Sequence, residues 1–537
     1  MNNKIIIAIF IVMLSCGCSL REDLAGVPDR NTSYNSRAQA QAVVNNAYRY
    51  TSFITTNFGL MVEACTDLWR CETSTVDARL DISPSNPGHG TNVWNNCYTA
   101  IMSCNEAIEC ILNRSSLPDD DKYPLQAEAR VLRALYYYFL TNTFDGVPFY
   151  LYMVEDRATQ DEIQKLPRTP ANDIRRALYD DLKDNALPYF TEENGLKARP
   201  SEVEGNRAGY ALCLMLMAKF AMWYSDWDAA LAALKPLEAL YGPLTEENYP
   251  LEQTMWSVKN TPESIFEVQH AWSTTGVQYS SSYGRLLLPT YDGDGIFDGV
   301  YMPEIGKEIA NWAALKVNPR FAKMAAGETA TSIFSRLPLV KNTSTNLLEP
   351  DMTAVATGLI GGEKLDRRIL YVIGLGKLSS GEIFNNVAKG SYCFAGPKFW
   401  CYGMVGSNDS NNYKLFRYAD AVLMMAECYA MKGRYPMAMS YLNRTRVRAG
   451  LNPVDGLGNR DAFLSELRDE RARELAGELH RKYDLVRWGI WYTETLENNS
   501  YTTLKNNIRE FHEYYPIPDT ECALSNYVLT NDSYVNE

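Results

Sequence analysis

The chain has 537 residues, of which 46% are hydrophobic and 22% are charged, values typical of a globular protein with a sizeable core. Its net charge of −13 at pH 7 argues against nucleic-acid binding, which needs a basic face, and against a polybasic membrane patch. Aromatic residues are abundant, with 35 tyrosines and 10 tryptophans. Helix packing is expected to account for most of them, and stacking on sugars for some.

The N-terminus has the pattern of a signal peptide. Residues 1–18 hold one lysine, an apolar run from Ile5 to Leu14, and then small residues next to cysteine. Ten apolar residues in a helix span roughly 15 Å, about half a bilayer core, so the run predicts a signal-peptide core rather than a membrane anchor. Small residues before cysteine are typical of a bacterial lipobox, in which the thiol is acylated. Cys18 is the preferred lipid-attachment site and Cys16 is the alternative, while a cleaved signal peptide without lipid is the competing interpretation.

The rest of the chain divides into a tether and three parts. Residues 19–36 predict a polar tether, and helical periodicity dominates residues 37–263 and 414–537. Residues 264–413 are rich in Gly, Ser, Asn and aromatic residues with short strand patterns, which predicts a loop-rich module carried on the helical parts. After the signal peptide, no stretch approaches eighteen unbroken apolar residues, so no membrane span is expected.

Two segments that begin 208 residues apart, Ala211–Leu234 and Ala419–Leu442, follow one pattern. In each, a helix is followed by a two-residue turn and a second helix that opens on an aromatic residue (Trp227 or Tyr435), with alanine three residues later. Small residues there let antiparallel helices approach closely, as in tetratricopeptide hairpins. Two further helix pairs are predicted: Ala38–Phe53 with Asn92–Leu112, and Leu125–Thr143 with Asp173–Leu187. The predicted fold class is mostly α, a tetratricopeptide-like helical-hairpin superhelix with a loop-rich insertion that contains short strands.

Catalytic and metal-binding motifs are missing from the sequence. It has no GxSxG, HExxH, P-loop or Rossmann glycine pattern, no CxxC, and its four histidines lack metal-ligand spacing. We therefore expect no cofactor. Most of the 12 cysteines are predicted to be small buried apolar residues, and Cys65 and Cys71 form the best-placed pair for a disulfide.

Acidic and arginine residues recur at three- and four-residue steps between Glu470 and Arg487. This spacing suits side-chain pairs along one helix and bidentate Arg–carboxylate bonds between helices. We predict a structural ion network here rather than a catalytic pair of carboxylates.

Two loop-rich stretches, Cys65–Trp94 and Trp272–Trp312, combine aromatic residues with polar ones. A sugar site without catalysis needs an aromatic platform and polar groups that bind hydroxyls. The candidate ligand-binding residues are Trp69, Trp94, Trp272, Tyr279, Tyr283, Tyr291 and Trp312, with a weaker third cluster at Phe399, Trp400 and Tyr402. A weak calcium site is conceivable at Asp292, Asp294 and Asp298, although an Asp/Gly turn is the preferred interpretation.

Several segments together resemble one family. Glu128–Phe149 reads EARVLRALYYYFLTNTFDGVPF, Arg417–Leu451 contains RYADAVLMMAE and LNRTRVRAGL, Leu467–Gly489 reads LRDERARELAGELHRKYDLVRWG, and Tyr514–Asp519 reads YYPIPD. With the lipoprotein leader, the chain resembles the SusD/RagB family of outer-membrane lipoproteins of the Bacteroidetes type over its whole length. The tail LSNYVLTNDSYVNE departs from the family pattern because it lacks the Asn-Pro elements, which puts the packing of the C-terminus in doubt.

The resemblance implies a SusD-like fold and a non-catalytic lipoprotein, anchored by lipid in the outer membrane and facing outward. Such a protein would bind oligosaccharide or polysaccharide and deliver it to a SusC-like TonB-dependent transporter. The RagB branch of the family implies an alternative, the capture of peptides or other nutrients. A surface glycosidase is the third alternative and would need two carboxylates roughly 5–10 Å apart in a cleft.

Overall fold

The structure is a computed structural model. It describes residues 34–273, 276–288, 314–326, 366–372, 395–401 and 404–534, together with strand segments 296–297, 300–301, 339–341, 348–350, 359–360, 363–364, 376–377 and 383–384. The predicted signal peptide, with Cys16 and Cys18, lies outside these residues. Among the described helices, none has both the length and the apolar content needed to cross a membrane.

Helices dominate the described residues, and the strands are short and paired in twos. In chain order the helices are α1 (Arg37–Tyr48), α2 (Phe58–Val62), α3 (Val76–Arg79), α4 (Gly90–Glu109), α5 (Asp119–Phe144), α6 (Arg157–Ile163), α7 (Ala171–Asn185), α8 (Tyr210–Trp223), α9 (Trp227–Tyr241), α10 (Pro319–Ala326), α11 (Ile369–Val372), α12 (Tyr418–Met431), α13 (Tyr435–Arg448), α14 (Arg460–Leu475), α15 (Arg481–Arg487), α16 (Trp491–Asn498), α17 (Thr502–Asn507) and α18 (Asp519–Leu524). The strands are β1 (Trp69–Cys71), β2 (Ser264–Val268), β3 (Ala271–Ser273), β4 (Gly276–Tyr279), β5 (Ile296–Phe297), β6 (Val300–Tyr301), β7 (Leu315–Val317), β8 (Leu339–Lys341), β9 (Leu348–Pro350), β10 (Leu359–Ile360), β11 (Glu363–Lys364), β12 (Gly376–Lys377), β13 (Ile383–Phe384) and β14 (Tyr413–Arg417).

The two predicted helical hairpins are confirmed as α8–α9 and α12–α13. Asp226 caps α9, because its Oδ1 accepts a hydrogen bond of 2.9 Å from the backbone N–H of Ala229. Gly433, in the turn between α12 and α13, has a φ of +70°, which glycine adopts without steric strain. Ala230 and Ala438 are fully buried, so the helices of each hairpin pack closely. Helix α9 also packs against α12, which stacks one hairpin on the other.

The other predicted helix pairs are also in contact, α1 with α4 and α5 with α7. Helix α5 packs against α4 as well. One continuous core runs through these helices and α12–α14. The nine cysteines of the described residues are all buried free thiols, which confirms the prediction that most cysteines are small apolar residues. Cys65 and Cys71 are among them, so the candidate disulfide between these two residues is wrong.

Strands β2 and β14 attach the region between residues 264 and 413 to the helical core. They pair antiparallel, with Val268 opposite Tyr413, and every residue of both strands is buried. Strand β14 runs directly into α12, and the Tyr418 N–H donates to the Glu263 carbonyl at 2.9 Å. Residue 269, which follows β2, and residue 412, which precedes β14, therefore lie next to each other at one end of the strand pair. The predicted ends of the loop-rich module fall on this strand pair, while the division of the chain itself stays a prediction.

A buried ion network holds α14 against its neighbours, as the sequence predicts. Arg417, at the end of β14, donates to Glu263 at 2.6 Å, to Glu478 at 2.8 Å and to Glu474 at 3.1 Å. Further bonds in the network come from Arg448 to Glu263 and Glu474, and from Arg368 to Glu470, Glu474 and Asp366.

The network keeps Glu474 ionised. Burial opposes ionisation of Glu474, but Arg448 and Arg417 outweigh it and lower its pKa to about 2. A carboxyl group in this state cannot donate a proton near neutral pH. Residues Glu470–Arg487 therefore stabilise the packing of helices and strands, and they do not form an acid–base pair.

Candidate functional site

Trp272, one of the predicted ligand-binding residues, lies on the protein surface. It is 38% exposed and is the most exposed tryptophan in the part of the chain that the structure describes. It sits in β3, which pairs with β4 just beyond the end of the buried strand β2. An indole in this position presents a flat apolar surface to solvent.

The backbone that leads to Trp272 is held by three side-chain amides, Asn260, Gln269 and Asn412, called the amide cluster here. Asn412 accepts a hydrogen bond from the His270 N–H at 2.9 Å and donates to Gln269 Oε1 at 3.0 Å. Gln269 in turn donates to Asn260 Oδ1 at 2.8 Å and is exposed to solvent. The cluster thus places one exposed amide, that of Gln269, three residues before Trp272 in the chain.

Glu267 and Lys414 anchor the amide cluster to the strand pair. Asn412 Nδ2 donates to Glu267 Oε2 at 2.9 Å, and Lys414 Nζ lies 3.1 Å from Glu267 Oε1. Burial raises the pKa of Glu267, but Lys414 and the surrounding hydrogen-bond donors outweigh it, so the pKa of Glu267 is lowered. The ionised carboxylate therefore holds Asn412 in one orientation.

Trp69 and Tyr283 are core residues, so the prediction that they form ligand platforms is wrong. Trp69 is fully buried in β1, with its ring 5.8 Å from the ring of Phe399. Tyr283 is 1% exposed and lies directly on Gly59, where an added Cβ would meet its ring at 2.5 Å. In the third, weaker cluster, Phe399 and Trp400 are buried as well.

The polar residues next to Trp69 in the sequence predict a loop. Asp67 and Arg70 are in fact buried. Arg481, more than 400 residues away in sequence, donates to Asp67 at 2.6 and 2.8 Å. A long-range ion pair of this kind lets a polar stretch enter the core, and local sequence does not show it.

The remaining predicted residues lie in β4 or outside the described residues. Tyr279 belongs to β4, opposite Ala271 of β3. Tyr291, Trp312, Tyr402 and the calcium candidates Asp292, Asp294 and Asp298 lie outside the described residues. Within the described residues, no group of three or more His, Cys, Asp or Glu side chains is placed to hold a metal ion.

Trp94 forms part of the wall of a groove of about 260 Å³ beside α4, called the α4 groove here. Its ring packs against Tyr98 at 4.8 Å and against Phe144 at 5.2 Å, and the side chain is 4% exposed. Because its ring is covered, Trp94 offers no free surface for a sugar to stack on. The groove lies between α4, the segment 148–164 and the C-terminal segment 521–529, a combination that the sequence analysis missed.

Two carboxyl groups have pKa values near neutrality, which is a property of many catalytic acids. Burial raises the pKa of Glu63 to about 8 and that of Asp409 to about 7. Each is at most 1% exposed, and each accepts backbone hydrogen bonds, from Leu479 N at 2.6 Å to Glu63 and from Asn411 N at 2.9 Å to Asp409. A polysaccharide cannot reach either group, so they are structural.

Comparison with known proteins agrees with this architecture. Residues 402–534 match the SusD family, and residues 24–203 match a SusD-like family described as starch-binding and associating with the outer membrane. The SusD-like protein P25 of Formosa agariphila is 26% identical over 466 residues, which covers 83% of this chain and 79% of that protein.

Solved structures share the fold. Surface glycan-binding protein A from Bacteroides fluxus has a TM-score of 0.64 at 19% identity, covering 91% of this chain and 97% of its own. A laminarin-binding SusD-like protein has a TM-score of 0.64 at 20% identity, covering 93% and 99%. The two family matches lie at either end of the chain, and the shared fold covers nearly all of it. The chain therefore belongs to the SusD/RagB family.

Proposed function

We propose that this protein is an outer-membrane surface lipoprotein that binds oligosaccharide at Trp272 and delivers it to a SusC-like TonB-dependent transporter. The observation that carries the proposal is the exposed indole of Trp272, two residues beyond the backbone that the amide cluster holds. Members of the SusD-like family are non-catalytic binding proteins, so the chain is not an enzyme.

The chemistry at Trp272 suits a sugar. The apolar face of a pyranose ring can stack on the exposed indole, while neighbouring amides bind the hydroxyl groups at its edge. Gln269 is exposed, and its Oε1 accepts one hydrogen bond from Asn412 at 3.0 Å, which leaves a second lone pair for a ligand. The base of the site is rigid because β2 and β14 are buried, so little ordering is needed on binding.

The names of the relatives support carbohydrate as the ligand and the outer membrane as the location. One matching family is described as starch-binding and associating with the outer membrane, and two proteins with the same fold are named for binding glycan or laminarin. Lipid attachment at Cys18, with Cys16 as the alternative, would keep the protein at that membrane. Delivery to a transporter follows from the family resemblance and completes the proposal.

Calorimetric titration with starch, laminarin and other purified oligosaccharides tests the binding step. A buried aromatic side chain covers up to about 250 Å², and Trp272 is 38% exposed. A stacked sugar would cover about half of that exposed area, which is worth about 1–2 kcal/mol. We expect at least one glycan to bind, and Trp272→Ala to weaken that binding by roughly 5- to 30-fold. Tyr527→Ala, which removes another exposed ring (71% exposed) far along the chain, is the matched control and should leave it unchanged.

If the protein binds peptides and binds no glycan, the peptide-capture alternative replaces the proposal. Equal glycan affinity of Trp272→Ala and the wild type would remove Trp272 from the site. Co-purification of the protein with a SusC-like transporter from outer membranes tests the delivery step separately.

A further inference from the structure

The α4 groove is lined mainly by large apolar side chains. Its floor and walls include Tyr98 and Met102 of α4, Tyr150, Ile163 of α6, and Leu524 of α18. Tyr98 and Tyr150 stack with their rings 6.3 Å apart and nearly parallel, and the Tyr98 hydroxyl donates to the Pro148 carbonyl at 2.8 Å. These bonds hold the two walls of the groove at a fixed separation, so the groove exists before any ligand binds.

Exposed apolar side chains concentrate at this groove. The described residues include ten exposed large hydrophobic side chains, and five of them line the groove or lie within three residues of its lining: Met102 (42% exposed), Tyr152 (42%), Leu524 (57%), Tyr527 (71%) and Val528 (44%). Scattered apolar residues on a surface need no explanation, but a continuous apolar patch around a preformed groove marks an interaction site. Three of the five, Met102, Leu524 and Val528, are not aromatic and give a sugar no ring to stack on.

Hydrogen-bonding groups lie among the apolar residues of the groove. Asn95, Thr99, Gln160 and Gln164 are exposed members of its lining. Side-chain amides and hydroxyls at this spacing can bind the N–H and C=O groups of an extended polypeptide, while the apolar floor takes its side chains. A polypeptide segment therefore matches the groove better than a rigid small molecule does.

The rim of the groove is acidic. Residues 155–168 and 519–532, which contribute to or flank the lining, carry seven acidic and three basic side chains. Among them, Glu155 is paired with Arg114, and Arg168 is bonded to backbone carbonyls. Glu521 lies in the groove wall, and no lysine or arginine of the described residues is paired with it. Burial raises the pKa of Glu521, although a hydrogen bond with Trp94 lowers it in part. A cation brought next to Glu521 would pair with it in a partly desolvated setting, where such pairs are strongest.

We propose that the α4 groove binds an extended segment of a partner polypeptide that places a large apolar side chain in the groove and a neighbouring lysine or arginine next to Glu521. The acidic rim opposes a second copy of the same chain, because the groove of each copy would face like charge. The proposal is independent of sugar binding at Trp272, which lies on β3 and shares no residue with the groove.

Fluorescence anisotropy with dye-labelled hexapeptides tests the proposal. The probes are Gly-Lys-Leu-Phe-Lys-Gly, the acidic analogue Gly-Glu-Leu-Phe-Glu-Gly, and the polar analogue Gly-Lys-Ser-Ser-Lys-Gly. We expect saturable binding of the first peptide, at least tenfold tighter than either analogue. Raising the salt concentration from 50 to 300 mM should weaken it severalfold, because screening reduces the contribution of Glu521.

Two matched variants locate the binding. Leu524→Asp places a charge in the groove, and Val447→Asp places one on an equally exposed apolar residue (57%) of α13 outside it. Leu524→Asp should weaken binding of the first peptide at least tenfold, and Val447→Asp should not change it. Thr99→Trp, at an exposed position of α4, fills the groove and gives a second test that leaves the C-terminal segment intact.

Glu521→Gln should reduce binding of the lysine-containing peptide without affecting Gly-Ala-Leu-Phe-Ala-Gly. Each variant is checked for folding by circular dichroism and for retained glycan titration at Trp272. The proposal is overturned if the first peptide does not bind, if it binds Leu524→Asp and Thr99→Trp like the wild type, or if the acidic peptide binds equally well. Glycan binding that Leu524→Asp abolishes, or a dimer that it dissociates in sedimentation, would assign the groove to a sugar or to a second copy instead.

Discussion

Removal of the Arg417 side chain should destabilise the protein through its buried ion network. Arg417 is fully buried and makes charge-assisted hydrogen bonds to Glu263, Glu474 and Glu478. Arg417→Ala leaves these three carboxylates in the core with one positive charge fewer. Removing one partner of a buried ion pair typically costs about 3–5 kcal/mol, because the remaining charge is buried and uncompensated. We expect a loss of at least this size, since three carboxylates share this arginine.

The loss can be measured by thermal unfolding. An unfolding entropy of about 2.1 cal/mol/K per residue over roughly 500 residues converts each kcal/mol into about 1 °C, so the melting temperature should fall by about 3–5 °C. Urea unfolding should give the same loss from the shift in midpoint. Arg434→Ala, at an exposed arginine between α12 and α13, is the control and should change stability by less than about 0.5 kcal/mol. If Arg417→Ala unfolds like the wild type, the network contributes no stability and the reasoning fails.

Substitutions at three further positions test other parts of the fold. Because burial raises the folded-state pKa of Glu63 to about 8, the folded protein retains a proton that the unfolded chain releases, so stability should fall from about pH 4.5 to pH 8. Glu63→Gln should remove this pH dependence and so raise the free energy of unfolding at pH 8 by on the order of 4 kcal/mol. Identical stability–pH profiles for the variant and the wild type would contradict this prediction. Gly477→Ala should cost about 2 kcal/mol or more, seen as a lower melting temperature, because Gly477 has a φ of +75° and its new Cβ would meet the Phe399 ring at 2.5 Å. Asp226→Ala should lower the free energy of unfolding in urea by about 1 kcal/mol, because it removes the cap on α9. Asp226→Asn should keep most of the stability that the cap provides.

Local patterns were sufficient to predict the helical scaffold. The hairpins α8–α9 and α12–α13 follow from apolar periodicity and small residues, which act between neighbours in sequence. The ion network around Glu474 was predicted for a similar reason, since acids and arginines repeat along α14. The partners that come from outside that helix, such as Arg368 and Glu263, could not be read from the spacing.

Exposure of aromatic rings could not be read from local sequence. Trp69 and Tyr283 sit among polar neighbours, yet both are buried because those neighbours pair with residues hundreds of positions away. Trp272 has a similar local sequence and is exposed, because it follows the point where β2 leaves the core. The difference depends on strand pairing over more than 140 residues, which no local pattern encodes.

The α4 groove was missed for the same reason. Its walls come from α4, α6 and α18, and the last is more than 350 residues from the other two. One signal was available in the sequence: Leu524, Tyr527 and Val528 are large apolar residues close together in the C-terminal tail. Their exposure indicates that they serve a surface rather than the core.

A crystal structure with a bound oligosaccharide tests the central claim most directly. We predict a sugar ring stacked on the indole of Trp272, with hydroxyl groups bonded to Gln269 of the amide cluster. A sugar bound in the α4 groove, or at any surface that leaves Trp272 free, would contradict the account.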